Sequence, residues 1–159
     1  MSISEKIVSK EELKPLVENW KAQGQKIVFS NGCFDIVHLG HVDYLEKARK
    51  LGDRLVLGLN TDESVKRLKG PQRPVMDEKA RARVMASFEF VDAVIFFGED
   101  TPFDLIGFIK PDILVKGDDY TIDKIVGAEL VIGNGGEVKT VPLVKGYSTS
   151  EIISKIKRL

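Results

Sequence analysis

The chain predicts an α/β domain: an open parallel sheet of about five strands with helices on both faces. Three observations carry this. Short apolar, β-branched runs alternate along the chain with stretches whose apolar residues recur at helical spacing. Each pair of strand candidates is separated by a helix candidate, so the connections are crossovers and the strands run parallel. The strand candidates are nearly all apolar, as strands covered on both faces must be.

The elements follow in order. Lys26-Ile-Val-Phe-Ser30 reads as a buried strand ended by the turn signal Asn31-Gly32. A helix runs from His38 to Lys50, with Val42, Leu45 and Ala48 at helical spacing, and Gly52-Asp53 stops it as a left-handed glycine cap does. Arg54 to Asn60 is the next strand. Thr61 or Asp62 caps a helix to about Leu68. Gly70-Pro-Gln-Arg-Pro74 is loop, and Asp77 caps a helix to about Glu89. Ala93 to Phe97 is a third strand, and Pro102 to Ile109 a helix with proline in its first turn. Ile113 to Lys116 is a fourth strand, followed by a loop, a short helix around Ala128 to Ile132 and the stop Asn134-Gly-Gly136. Glu137 to Val141 is the fifth strand, and Ser148 to Arg158 the last helix. Residues 1–25 read as a helical extension packed on a domain of residues 26–159. There Ser9 and Glu12 resemble a capping box. Pro15 would break a helix begun there, so the helix starts near Lys14 or is kinked.

Composition narrows the function classes. Lys plus Arg and Asp plus Glu number 24 each, which argues against a nucleic-acid footprint, since that needs a basic excess. A local basic pocket is still allowed. The lone cysteine, Cys33, has no internal disulfide partner and suits a reducing compartment. No apolar run approaches the roughly 20 residues of a membrane span, and Met1 to Lys10 lacks the apolar stretch of a signal peptide. A cytoplasmic enzyme or binding domain, without membrane or nucleic-acid partners, is the expectation.

The sharpest chemical signal is His38-Leu-Gly-His41, which contains both histidines of the chain. It follows a strand and opens a helix. In an open α/β sheet that place is the carboxyl end of a strand, where ligands bind. A helix N-terminus offers free N–H groups and partial positive charge, which suit phosphate. Gly40 leaves room for a phosphate to approach the backbone. Imidazoles three residues apart share one side of the first turn and can donate to phosphate oxygens. Taken alone, the spacing fits capping or surface histidines as well. A zinc site lacks further ligands.

The run Ser30-Asn-Gly-Cys-Phe-Asp-Ile-Val-His-Leu-Gly-His41, together with Gly146-Tyr-Ser-Thr-Ser150 opening the last helix, resembles the two signatures of the cytidylyltransferase-like nucleotidyltransferase superfamily. Within it the chain is most similar to the adenylyltransferase part of ADP-heptose synthases. That likeness rests on Asn31 to Asp35, Lys66-Arg-Leu-Lys-Gly70, Arg73-Pro-Val75, Glu99-Asp-Thr-Pro102, Leu114-Val-Lys-Gly117 and Asn134-Gly-Gly-Glu-Val138. The resemblance covers Ile27 to the C-terminus. It implies a Rossmann-like fold and a free-standing enzyme without the sugar kinase often fused to such domains. The implied reaction transfers AMP from ATP to D-glycero-β-D-manno-heptose 1-phosphate, giving ADP-heptose and pyrophosphate. Mg²⁺ would arrive with ATP and take few protein ligands, no protein metal site is expected, and a homodimer is implied. The rivals are a glycerol-3-phosphate cytidylyltransferase, another sugar- or polyol-phosphate nucleotidyltransferase, and a non-catalytic nucleotide-binding module. Glycerol-phosphate cytidylyltransferases carry an arginine where this chain has Leu143, which weakens the cytidylyl alternative.

The resemblance also distributes roles. His38, His41 and Lys69 are the expected catalytic residues, although Lys69 also reads as a solvated loop lysine. Asn31, Gly32, Cys33, Phe34, Gly40, Arg81, Lys116, Gly117, Ser148, Thr149 and Ser150 are expected around the nucleotide. Arg81 reads nearly as well as a surface arginine, Ser148 to Ser150 as a plain helix cap, and Cys33 as packing rather than a nucleophile. Asp35 and Asp62 are expected at the acceptor, with an Asx-type turn and a helix start as their respective alternatives.

Overall fold

A computed structural model describes all residues, 1–159. Strands β1 (Ile27–Gly32), β2 (Arg54–Asn60), β3 (Ala93–Phe97), β4 (Ile113–Gly117) and β5 (Glu137–Val141) form one sheet in the order β3-β2-β1-β4-β5. Every neighbouring pair is parallel. The chain builds outward from β1 to β3, then returns to lay β4 and β5 on the other side of β1. The connections therefore part at β1 and β4, which opens a crevice at the carboxyl ends of those strands.

Successive strand residues face opposite sides of a sheet, and here both sides are apolar. Ile27, Phe29, Val56, Ile95 and Leu114 face one layer, where they meet α1 (Lys10–Ala22), α5 (Phe103–Ile109) and α6 (Ala128–Gly133). Their neighbours Val28, Leu55, Leu57, Val94 and Val115 face the other, against α2 (Leu39–Arg49) and α4 (Glu78–Ala86). Two shorter-contact helices, α3 (Asp62–Lys69) and α7 (Thr149–Lys157), lie toward the crevice end. No helix is long and apolar enough to cross a membrane.

Several boundaries differ from the sequence reading. Strand β1 runs on through Asn31 and Gly32, because both pair with β2, opposite Gly58 and Leu59. The stop after α2 is not a left-handed glycine, since Gly52 has no positive φ. Its small size serves packing: a Cβ there would lie 2.7 Å from Val28 Cγ2. Helix α4 ends at Ala86 rather than near Glu89. The chain's start adds an isolated bridge from Ile7 to Val94, covering the outer edge of β3.

Helix α1 starts at Lys10, ahead of the proline, with a complete capping box. Glu12 N–H donates to Ser9 Oγ at 3.2 Å, and Ser9 N–H donates to Glu12 Oε2 at 2.8 Å. Pro15 lies inside the helix, so the Glu11 carbonyl loses its usual N–H donor. Glu11 is exposed, so water can take that donor's place. Leu13, Val17 and Trp20, all buried, hold the helix on the sheet. Two variants should move stability in opposite directions. Ser9→Ala should lower it by about 1 kcal/mol through loss of the cap, and Pro15→Ala should raise it by restoring a helical hydrogen bond. Urea unfolding of both checks the pair.

Candidate functional site

The carboxyl end of β1 leads into a sharply folded connection. Phe34 and Ile36 stand at φ 50° and 48°, a left-handed backbone that costs a non-glycine residue on the order of 1 kcal/mol or more. Packing and Asp35 hold it in place. The Phe34 ring is buried against Gly32, where a Cβ would come within 3.2 Å of it. The same ring meets His41 edge-on at 5.7 Å between centroids. Asp35, 2% exposed, is well partnered. Its carboxylate accepts from Arg73 Nε at 3.0 Å, Val75 N–H at 2.8 Å and Met76 N–H at 2.9 Å. Its carbonyl accepts from Thr149 Oγ1 at 2.8 Å. Burial alone would raise the Asp35 carboxyl. The two amide N–H groups and Arg73 outweigh burial and hold it below the ordinary carboxylate range.

The histidines stand at the start of α2. His38 is the N-cap, and its Nδ1 accepts the Gly40 N–H at 3.1 Å. His41 Nδ1 accepts the His38 N–H at 3.3 Å. The two rings lie 3.9 Å apart between centroids. An Nδ1 that accepts a hydrogen bond carries no proton, so each neutral ring holds its proton on Nε2. Burial depresses both pKa values, that of His41 to about 4, with His38 nearby adding to the effect. Both residues line the cleft, and their lowered pKa values favour the neutral ring, in which Nε2 carries the proton. Gly40 serves this arrangement directly. A Cβ there would lie 2.9 Å from His38 Cε1, so a side chain at 40 would displace the imidazole.

The cleft has a volume of about 750 Å³. The N-termini of α2 and α7 both open onto it, through His38 and Gly40 and through Ser148, Thr149 and Ser150. Ser148 Oγ caps α7 by accepting the Glu151 N–H at 3.0 Å. Asn31, Gly32, Cys33 and Phe34 line the cleft from β1 and its connection, and Lys116 and Gly117 from β4. Lys69, the last residue of α3 rather than a loop residue, lines it as an exposed cation. Lys116 Nζ donates to the Asn31 carbonyl at 3.3 Å, and burial lowers its pKa to about 8. Leu143 packs on Gly117, where a Cβ would come within 2.9 Å of Leu143 Cδ2. Burial pushes the Cys33 thiol up, and its Sγ lies 3.8 Å from Asn60 Oδ1.

Three of the expected site residues are engaged within the protein. Arg81 is buried rather than on the surface and is absent from the cleft wall: it is 1% exposed and makes four N–H bonds inside the protein. It donates to Met76 O at 3.0 Å, Cys33 O and Asn60 O at 2.8 Å each, and Asp62 Oδ1 at 2.7 Å. A buried guanidinium needs such partners, and these bind α4 to the ends of β1 and β2. Asp62 is consequently paired with Arg81 and is absent from the cleft wall. Asp35 is in the wall, but its carboxylate is consumed by the loop that carries Arg73.

Among the wall residues without an expected site role are Tyr147, Asn60 and Arg73. Tyr147 stacks on His38 at 6.3 Å between centroids and an interplanar angle of 26°. Its place inside Gly146-Tyr-Ser-Thr-Ser150 was the available signal. Asn60 ends β2 buried, its amide donating to Ser64 Oγ at 2.7 Å. A polar residue closing an apolar strand at the carboxyl edge was its signal. Arg73 stood in a quoted segment without a role.

The histidine environment has a pH consequence. A histidine whose pKa falls from 6.5 unfolded to about 4 folded binds fewer protons in the native state across that window. Its contribution to stability is complete above pH 6.5 and lost as pH falls toward 4. The melting temperature should therefore drop between pH 6.5 and 4, and drop less steeply in His41→Gln. A pH series of melting curves for both proteins measures this.

Comparison with known proteins places this geometry. The family model described as cytidylyltransferase-like matches residues 29–155. The bifunctional protein HldE of Methylobacillus flagellatus is 57% identical over 153 residues, covering 96% of this chain and 31% of the relative. HldE of Campylobacter jejuni is 55% identical over 157 residues, 99% of this chain and 32% of the relative. The chain thus spans about a third of the length of the curated relatives it matches. The crystal structure of the lipopolysaccharide core biosynthesis protein from Thermoplasma volcanium is 36% identical with a TM-score of 0.61, covering 79% of this chain and 100% of that one. Pantoate-beta-alanine ligase from Francisella tularensis, 15% identical with a TM-score of 0.64 over 96% of this chain and 78% of that one, shares the fold. The paired imidazoles at one helix start, the hydroxyl-capped helix opposite and the match along residues 29–155 agree: the chain belongs to the cytidylyltransferase-like family of nucleotidyltransferases.

Proposed function

We propose that the chain transfers AMP from ATP to D-glycero-β-D-manno-heptose 1-phosphate, releasing pyrophosphate and ADP-heptose for surface glycan assembly. The observation that carries this is the division of labour in each histidine, Nδ1 spent on the backbone and Nε2–H left for the cleft. Two fixed neutral donors suit phosphate oxygens. The heptose assignment is supported by the HldE relatives and the lipopolysaccharide core protein.

The acceptor phosphate is already anionic, so its oxygen attacks the α-phosphorus of ATP without a general base. A bond forms from that oxygen to the α-phosphorus as the bond to the bridging oxygen of the β-phosphate breaks. Pyrophosphate leaves with the electron pair. Catalysis then consists of alignment and stabilisation of charge. His38 and His41 donate to oxygens of the α-phosphate. Lys69 neutralises charge growing on the leaving pyrophosphate, and Ser148, Thr149 and the α7 N-terminus hold phosphate oxygens. Lys116 and Gly117 lie beside the nucleoside. Three of the hydrogen-bonding positions of the Asp35 carboxylate are already taken by Arg73, Val75 and Met76. Mg²⁺ would arrive with the triphosphate and keep several of its own waters, neutralising phosphate charge.

Product analysis tests the reading. With ATP and CTP each offered beside heptose 1-phosphate and glycerol 3-phosphate, ADP-heptose should be the main product. Turnover of CTP equal to or above that of ATP would overturn the adenylyl assignment.

The histidines are tested separately. His38→Ala and His41→Ala should each lower kcat on the order of a hundredfold, with smaller changes in ATP affinity. Both side chains also serve the first turn of α2, so some loss of stability accompanies alanine. His38→Asn separates the two effects: asparagine is a good N-cap but has no group at the Nε2 position. It should recover the melting temperature and leave kcat low. Near-normal kcat in the folded variants would remove the phosphate role.

A further inference from the structure

Arg73 lines the cleft, and most of its hydrogen-bonding capacity is unused. Its side chain is 17% exposed. A guanidinium has five N–H donors. Arg73 uses one of them within the protein, Nε–H to Asp35 Oδ2 at 3.0 Å. The remaining N–H groups, on Nη1 and Nη2, have no partner in the chain, and neither nitrogen is sealed from solvent. Arg81 is the contrast, since its guanidinium is bonded inside the protein and is absent from the cleft wall.

Two anchors fix where the free fork stands. The Asp35 carboxylate is itself held by the Val75 and Met76 N–H groups, so it is a rigid base for Nε. The Arg73 backbone N–H donates to the Gly70 carbonyl at 3.2 Å, closing a turn that begins beside Lys69. The Asp35 carbonyl in turn accepts from Thr149 Oγ1 at 2.8 Å. Arg73 is thereby tied to the end of α3, which carries Lys69, and to the start of α7. These are the two elements that serve the outer phosphates in the proposed reaction.

We propose that Arg73 is a further substrate-binding residue, whose two Nη groups hold the β- and γ-phosphates of ATP and stay on the pyrophosphate as it leaves. A planar fork of N–H groups matches a pair of phosphate oxygens, whereas the ammonium of Lys69 acts as a point charge. Asp35 offsets part of the Arg73 charge, so the fork works through directed hydrogen bonds more than through net charge. Because Asp35 holds the guanidinium before the ligand arrives, little side-chain freedom is lost on binding. The assignment rests on nucleotidyl transfer from ATP and is independent of the acceptor.

Calorimetry with ATP, inorganic pyrophosphate and AMP tests this without any acceptor. Arg73→Lys keeps a cation beside Asp35 and removes the fork. It should weaken ATP and pyrophosphate binding roughly tenfold or more and hold the melting temperature. AMP binding should stay unchanged, because AMP lacks the two outer phosphates. Arg73→Gln should weaken the same two ligands and also lower the melting temperature, since Asp35 loses its charged partner. A wild type that binds no pyrophosphate, native affinities in Arg73→Lys, or an equal loss of AMP binding would overturn the proposal. So would a raised KM for the sugar phosphate with that for ATP unchanged, which would put the fork at the acceptor. A wild type that makes no ADP-heptose, with ATP and pyrophosphate binding altered as expected in the variants, overturns the heptose assignment and sustains the role of Arg73.

Discussion

The cleft depends on the four hydrogen bonds that Asp35 accepts. Its side chain gathers Arg73, Val75 and Met76, and its carbonyl receives the Thr149 hydroxyl. Three segments distant in sequence meet at this residue: the β1 connection, the loop after α3 and the start of α7. Around it Phe34 and Ile36 hold left-handed backbone, which is unfavourable on its own. A buried carboxylate is costly without partners, and here every bond that relieves the cost also orients a wall of the site. The strained connection is tolerated because its neighbours are over-determined.

The second theme is the use of helix starts. A helix N-terminus has unpaired N–H groups that either a side chain or a ligand can satisfy. In α2 the histidines take part of that duty. The Gly40 and His38 amides are occupied by imidazole Nδ1 atoms. The other nitrogen of each ring, Nε2, is left as a donor with a fixed tautomer. The same bonds account for Gly40, whose lack of a Cβ makes room for the His38 ring. Capping occupies one edge of each imidazole and leaves the other free, so a capping role does not exclude a ligand-binding one.

Strands and helices were legible because their cause is local and repeated. Apolar β-branched runs such as Ala93 to Phe97 leave few other solutions, whereas the strand order β3-β2-β1-β4-β5 came only from the structure. Ends were less legible. Asn31-Gly32 has turn chemistry, yet pairing with β2 keeps it extended. Pro15 argued against a helix start that a complete capping box and three buried side chains secured. In both cases long-range packing outweighed a local preference.

By itself the sequence determined the layered α/β architecture, the position of the histidine pair at a strand's carboxyl end and the hydroxyl-capped last helix. These depend on residue type and spacing within a few turns of chain. Only the tertiary structure decided which charges face the cleft. Arg81, Asp62 and Asp35 carry the side chains expected of ligand-binding groups, but apart from Met76 O their side-chain partners stand 19 to 48 residues away along the chain. The fold brings those partners close enough to consume their hydrogen bonds. Lys69 and Lys116 reach the cleft. A charged side chain in sequence states only what it could bind, and its burial and neighbours decide what it does bind.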